Sequence, residues 1–169
     1  MSGEITVFVR DDDAFEMGDL KGIWIDPTEP PDHLQMQVDE MLAESPGLSG
    51  NYTFTELEGD GSECLQDITE LSKLHDVATL IRDHGSLAIA LLGHVNGVVE
   101  EAKRIIREEY AGIYSSLEEH AEEDCRNGDV SPREVLLYVD YGKMVNDWRM
   151  SGRAFTLPAP CGGVHVFSC

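Results

Sequence analysis

Residues 5–13 read Ile5-Thr6-Val7-Phe8-Val9-Arg10-Asp11-Asp12-Asp13, a run rich in β-branched side chains that ends in three consecutive carboxylates. Branching at Cβ favours the pleated backbone, so the first six of these residues predict a strand, and the aspartates after it an acidic loop. Gly22 to Asp26 predicts a second short strand and Tyr52 to Glu58 a third. Between them, after Pro30-Pro31, the apolar residues Leu34, Val38, Met41 and Leu42 recur on one face of a helix that stops before Ser45-Pro46-Gly47. A small sheet with one helix is therefore expected at the N-terminal end.

Gly59-Asp60-Gly61 breaks this pattern, and helical spacing takes over. Leu74, Val77, Ala78 and Ile81 predict a helix with Ser72 as N-cap and Gly85 as its stop, and Ser86 opens a second with Leu87, Leu91 and Leu92 inward, ending near Gly93 to Gly97. A longer amphipathic helix is expected from about Val98 to Tyr110, ended by Gly112. Ser115 or Ser116, each three residues before Glu118 or Glu119, forms a capping box for a helix through about Asp124, and Ser131-Pro132-Arg133-Glu134 forms another. Arg153 to Leu157 and Gly163 to Phe167 predict two strands joined around Pro158 to Gly163. The expected class is α+β: sheets at both ends, helices between.

Charge dominates everything else in the composition. Asp and Glu total 33 against 12 Lys and Arg, a formal net charge of −21. Exposed carboxylates lie roughly three units below pH 7 in pKa, so nearly all are ionised. Residues 1–72 hold 18 acidic and 2 basic side chains, whereas residues 73–169 hold 15 and 10. Apolar residues such as Ile23, Trp24, Ile25, Met41 and Phe54 run through the acidic half, which favours a folded anionic surface over a disordered tail. Such a surface repels nucleic acid and anionic membrane and attracts proteins with basic grooves.

Motifs for chemistry are missing. Asp11-Asp12-Asp13 fails as a calcium loop, because the sixth and twelfth places hold Glu16 and Gly22 rather than Gly and Glu. The six histidines never form H-E-x-x-H, and Cys64, Cys125, Cys161 and Cys169 form no C-x-x-C pair, so neither zinc nor any cofactor is expected. There is no G-x-S-x-G elbow and no phosphate-binding glycine loop. Free thiols, no basic-apolar leader and no apolar run of about 20 residues lead to an expectation of a cytoplasmic protein.

Glu118, Glu119, Glu122 and Glu123 place like charges at i and i+4 on one helix, a local cost of about 0.2–0.5 kcal/mol per pair. Alone this is an ordinary solvated face; with the global excess it fits a duplex-like surface. Duplex DNA carries one charge per about 1.7 Å of axis, so the net charge matches roughly ten base pairs.

Read in order, a series of landmarks resembles the ArdA antirestriction family. They are Gly22-Ile23-Trp24-Ile25-Asp26, Met41-Leu42 before Ser45-Pro46, His84-Gly85 and Leu91-Leu92 before His94. They continue with Ala102, Glu108 through Leu117, Tyr138-Val139-Asp140-Tyr141, Met144, Asp147, Gly152, Phe155 and His165-Val166-Phe167. The resemblance implies an elongated protomer of three small modules, spanning 1–60, 61–97 and 98–169. It implies a homodimer that imitates bent B-form DNA and occupies the DNA groove of type I restriction-modification enzymes, through their specificity and methyltransferase subunits. Leu91 to Tyr114 matches the family's antirestriction motif, associated with the dimer contact, which assigns Leu91, Leu92, His94, Ala102, Glu108, Glu109, Tyr110, Gly112 and Tyr114 to that role. Tyr52 to Gly59 and the terminal Ser168-Cys169 depart from the family pattern.

The carboxylates expected to stand in for phosphates are Asp11, Asp12, Asp13, Glu16, Asp19, Asp26, Glu29, Asp32, Asp39, Glu40, Glu56, Glu58, Asp60, Glu63, Asp67 and Glu70, joined by Glu118, Glu119, Glu122 and Glu123. Two other readings stand beside this one. The acidity could be adaptation to high salt in a globular protein with an unrelated protein partner, although the uneven charge argues against it. A small enzyme would require a closed pocket of perturbed titrating groups.

Overall fold

The period-two alternation of Val7 and Val9 with Thr6, Phe8 and Arg10 sets β1 (Thr6–Asp11), with alternate side chains buried along its length. In the computed structural model, which describes residues 4–128, 136, 137 and 139–169, β1 is the central strand of a three-stranded antiparallel sheet. Its neighbours are β2 (Gly22–Ile25) and β3 (Tyr52–Glu58). The Ser131–Glu134 capping box and Tyr138 lie outside the described residues.

The predicted acidic loop is instead a short helix, α1 (Asp12–Glu16). Asp11, fully buried at the end of β1, accepts a hydrogen bond at Oδ1 from the Ala14 backbone N–H at 3.1 Å and so caps it. A run of three aspartates reads as solvated on charge alone, but the first of them serves an otherwise unpaired backbone donor.

Helix α2 (Pro31–Ala43) begins with proline at its first position and buries Leu34, Val38 and Met41, packing on β1 and β2. A 3-10 turn at Ser62–Leu65 leads to α3 (Leu71–His84) and α4 (Ser86–His94), which pack on each other. Two caps differ from expectation. The N-cap of α3 is Glu70, with no side-chain cap, so Ser72 lies inside the helix; the N-cap of α4 is Gly85 at φ +54°, so Ser86 is its first residue. Continuous apolar spacing through Leu71 and Leu87 extends each helix past the serine that local chemistry favoured. The His75 ring donates from Nδ1 to the Pro27 carbonyl at 3.1 Å, tying α3 to the loop before α2.

The described residues divide at Val99/Glu100 into two compact units. The second contains most of α5 (Val99–Glu108), followed by β4 (Tyr110–Tyr114), α6 (Leu117–Asn127), α7 (Tyr141–Ser151), β5 (Ala154–Pro158) and β6 (Val164–Ser168). Its sheet is antiparallel in the order β4-β6-β5, and the C-terminal hairpin forms as predicted. Leu117 and Ala121 of α6 and Val145 and Trp148 of α7 cover one face of it over Ala154 and Val166.

The long helix expected to Tyr110 ends at Glu108, and Tyr110–Tyr114 is a strand. Gly112 sits at φ +129°, outside helical geometry, and the register with β6 shifts between Tyr110 and Gly112. Pairing with a strand more than 50 residues away overrides the local period. Helix α7, beyond the helices expected from the sequence, is capped by Asp140, whose Oδ1 accepts from the Lys143 backbone N–H at 3.0 Å. The class is α+β, with an antiparallel three-stranded sheet in each unit.

Gly22 pairs with Arg10, and a Cβ there would lie 2.3 Å from the Val9 carbonyl oxygen and 2.5 Å from Phe8 Cζ. Gly22→Ala is therefore expected to destabilise the first unit by about 1–3 kcal/mol. Urea denaturation followed by tryptophan fluorescence measures this, and a midpoint equal to that of the unsubstituted chain contradicts the packing described.

Candidate functional site

Residues 1–99 carry 20 acidic and 4 basic side chains. Each of the four cations already has a carboxylate neighbour. Arg10 donates to Asp12 at 2.9 Å and lies 4.0 Å above the Phe15 ring. Lys21 sits 3.7 Å from Glu44, Lys73 3.3 Å from Glu70 and Arg82 3.0 Å from Asp83. These pairs leave a net charge of −16 in this unit with no unpaired cation among the described residues.

The candidate carboxylates fall into three groups. Asp11 is buried, so it leaves the surface set: a carboxylate capping a helix inside the fold cannot present itself to a partner. A second group is exposed in part or whole but held locally. Asp12 accepts from Arg10 and from Thr53 Oγ1, and Asp13 accepts from the Ser49 backbone N–H at 2.8 Å and from its hydroxyl, which holds its pKa below the ordinary carboxylate value. Asp26 accepts from Thr28, Glu29 from His33 and Gln37, Asp39 from Gln35 and Glu70 from Lys73. Asp60 is exposed and also engaged.

The third group is exposed without a hydrogen bond or ion pair among the described residues: Glu16, Asp19, Asp32, Glu40, Glu56, Glu58, Glu63 and Asp67. These are the carboxylates whose removal costs the fold least. Nothing in residue type separates them from the locally held group; only the neighbours do.

In the second unit, the glutamate cluster on α6 is accommodated by specific partners. The Ser116 hydroxyl accepts from the Glu119 backbone N–H at 3.1 Å, while Glu119 accepts from the Ser115 backbone N–H at 2.7 Å, lowering its pKa. This is the capping box read from the sequence. Glu122 pairs with Arg126, and the Tyr114 hydroxyl donates to the Ala111 carbonyl at 3.5 Å, its pKa raised by burial first and then by Glu123. Glu118 is half-buried.

The motif residues are dispersed in environment. Leu91, Leu92 and Ala102 are core side chains, and His94 is exposed at the end of α4. Arg104 gathers Glu101, Glu108 and Glu109, with its shortest contacts at 2.6 Å to Glu101 and 2.7 Å to Glu109. The Glu101 hydrogen bond, then that of Glu109, pushes the guanidinium pKa further up. Glu108 also meets Arg107. Tyr110 shares a 3.1 Å hydrogen bond with His165 Nδ1, and the Tyr114 ring lies tilted against His120, centroids 4.8 Å apart.

A family model described as Antirestriction protein (ArdA) matches residues 7–160, most of the chain. The chain belongs to the ArdA antirestriction protein family. No curated protein matched it in a sequence comparison. In this ArdA-family chain no group of three or more metal-binding side chains occurs among the described residues, and no described helix is long and apolar enough to cross a membrane.

Two features of the family member escaped the sequence reading. One is the ring pair Phe8–Trp24, centroids 5.3 Å apart on the face of the first sheet opposite its core. The alternation of β1 carried that signal, since Phe8 falls between Val7 and Val9. The other is His165, 1% exposed, with Nε2 unpartnered among the described residues. Burial lowers its pKa from the usual 6.5.

The unfolded chain therefore takes up a proton at this position before the folded one does, and stability in the second unit falls as pH drops below about 6.5. The carboxylates with lowered pKa, Asp13, Glu101 and Glu119, lose their contribution only in more acidic solution. NMR titration is expected to place His165 below 6.5; a value at or above it contradicts the buried environment. Asp11→Ala is expected to lower stability by about 0.5–2 kcal/mol through loss of the α1 cap. Equilibrium unfolding of that variant measures the effect, and no loss of stability contradicts the capping role.

Proposed function

We propose that this antirestriction protein acts without catalysis, as a mimic of B-form DNA. Its carboxylates occupy the DNA-binding groove of a type I restriction-modification enzyme, formed by the specificity and methyltransferase subunits. The observation that carries this reading is the uncancelled −16 of residues 1–99, where every cation is already matched by a carboxylate neighbour. A groove that binds DNA does so largely through Lys and Arg contacts that displace counterions, and fixed carboxylates compete for the same cations.

The same reading carries the elongated three-module protomer and the homodimer, which doubles the length of duplex imitated. It places the protein in the cytoplasm, where restriction enzymes meet incoming DNA. Because exposed charges act as a summed field, screened over about 8 Å at physiological salt, no single carboxylate dominates.

The test is displacement of labelled duplex from a type I methyltransferase core across a salt series. Binding is expected to be tight at low salt and to weaken steeply as salt rises. Failure to displace DNA at low salt defeats the proposal. Glu40→Gln, Glu56→Gln, Glu58→Gln, Glu63→Gln and Asp67→Asn, taken singly, are each expected to change affinity less than about threefold. Combined, they weaken it by more than about tenfold and flatten the salt dependence. These residues are free of structural bonds, so the thermal midpoint stays close to that of the parent. A single substitution that abolishes inhibition in a folded protein sinks the distributed mechanism. Adaptation to high salt instead predicts a melting temperature that collapses in dilute buffer.

A further inference from the structure

We propose that the Phe8–Trp24 ring pair, aligned with Glu56 on the open face of the N-terminal sheet, seats an arginine side chain of the partner's DNA-binding groove. The inference rests on the groove-binding reading above and names a contact within it that the charge field does not supply.

Strand register builds the seat. Phe8 pairs with Trp24 on β2 and with Glu56 on β3, so the three residues form one row across the sheet, and Thr6 pairs with Glu58 beside it. Neighbouring strands lie about 4.8 Å apart, so side chains in such a row are within reach of a common ligand. Val7 and Ile25 face the other way, into the core under α2. Trp24 remains 45% exposed although the molecule has an apolar core at hand, while Trp148 is 6% exposed. An exposed tryptophan in a unit this anionic is a poor fit to simple solvation and a good fit to a cation over its face.

Charge complementarity selects the occupant. Glu56 and Glu58 are exposed carboxylates without partners among the described residues, so a second copy of the chain or an anionic membrane would bring like charge against them. A guanidinium satisfies both features of the row, stacking flat on the indole and donating to a carboxylate from its edge. The same unit already holds this arrangement internally: Arg10 lies 4.0 Å above the Phe15 ring while donating at 2.9 Å to Asp12. Arg10 is therefore occupied by Asp12 and Phe15, on the row of Gly22 and Thr53 next to the Phe8 row.

Removing the ring while keeping the carboxylates separates this contact from the field. Trp24→Leu is expected to weaken binding to the methyltransferase core about five- to twentyfold at every salt concentration, leaving the slope of affinity against salt unchanged. Trp24→Tyr keeps an aromatic face and is expected to stay within about threefold of the parent. In a chain labelled with 5-fluorotryptophan, the target is silent in fluorine NMR. The Trp24 resonance, assigned by Trp24→Phe, is expected to move on complex formation while that of buried Trp148 does not. This readout stands even if Trp24→Leu folds poorly.

Parental protein that displaces DNA, together with an unshifted Trp24 resonance and a Trp24→Leu variant of full affinity, overturns the seat and leaves the groove reading intact. A flattened salt slope in Trp24→Leu also overturns it, because the residue then acts through the charges. A Trp24 resonance that moves with concentration of the chain alone identifies a second copy as the occupant and overturns it as well. Parental protein that does not displace DNA removes both readings together.

Discussion

Twenty carboxylates against four cations repel one another, and residues 1–99 fold because an apolar seam beneath them outweighs that repulsion. Val7, Val9 and Ile25 from the sheet meet Leu34 and Val38 of α2, all at 2% exposure or less. Leu74 and Ala78 of α3 and Ala88 and Leu91 of α4 are equally sequestered. Each fully buried aliphatic side chain contributes about 1.5–3 kcal/mol, whereas exposed like charges interact weakly across water. The balance is possible because the charges stay outside. Asp11 is the exception: a carboxylate inside the fold is tolerated there by the backbone donor it serves.

The seam also fixes where the charges point. A strand alternates its faces, so burying Val7 and Val9, with Leu57 on the same side, commits Thr6, Phe8, Glu56 and Glu58 to the opposite side of the sheet. On α2, burial of Leu34, Val38 and Met41 leaves Asp32, Asp39 and Glu40 in solvent. Acidity as a surface property is thus a consequence of the packing register, and an error of one residue in a strand would bury glutamate. Local bonds then divide the carboxylates into those that organise turns, such as Asp13 on Ser49 and Asp26 on Thr28, and those left to the solvent.

The second unit solves a different problem. In its α6 cluster Glu119 is held by Ser115 and Glu122 by Arg126, the Ser116 hydroxyl caps the helix, and Arg104 gathers Glu101, Glu108 and Glu109. Charge in this unit is largely matched, and its distinctive groups are buried aromatics and histidines. Tyr110, His165, Phe167 and Phe155 form a continuous ring cluster on one face of the sheet, with Phe155 stacked on Phe167 at 4.6 Å. The two units of one chain therefore carry different chemistry, and the uneven charge along the sequence follows the boundary near Val99.

Composition, charge asymmetry and the short-range periods determined the class of the fold, the N-terminal sheet with its helix, the α6 cap and the C-terminal hairpin. The periods that mark these elements run over a few residues, although the pairing of β1 with β3 joins distant parts of the chain. The order of landmarks also carried the family resemblance. What only tertiary structure decided depends on partners far along the chain. Tyr110–Tyr114 became a strand because β6 offers an edge to pair with; Asp11 became a cap because the core closed over it; Trp24 and Glu56 entered one row because β1 lies between their strands. A one-dimensional pattern fixes which face a residue takes within its own element, and it leaves unspecified which other face will meet it.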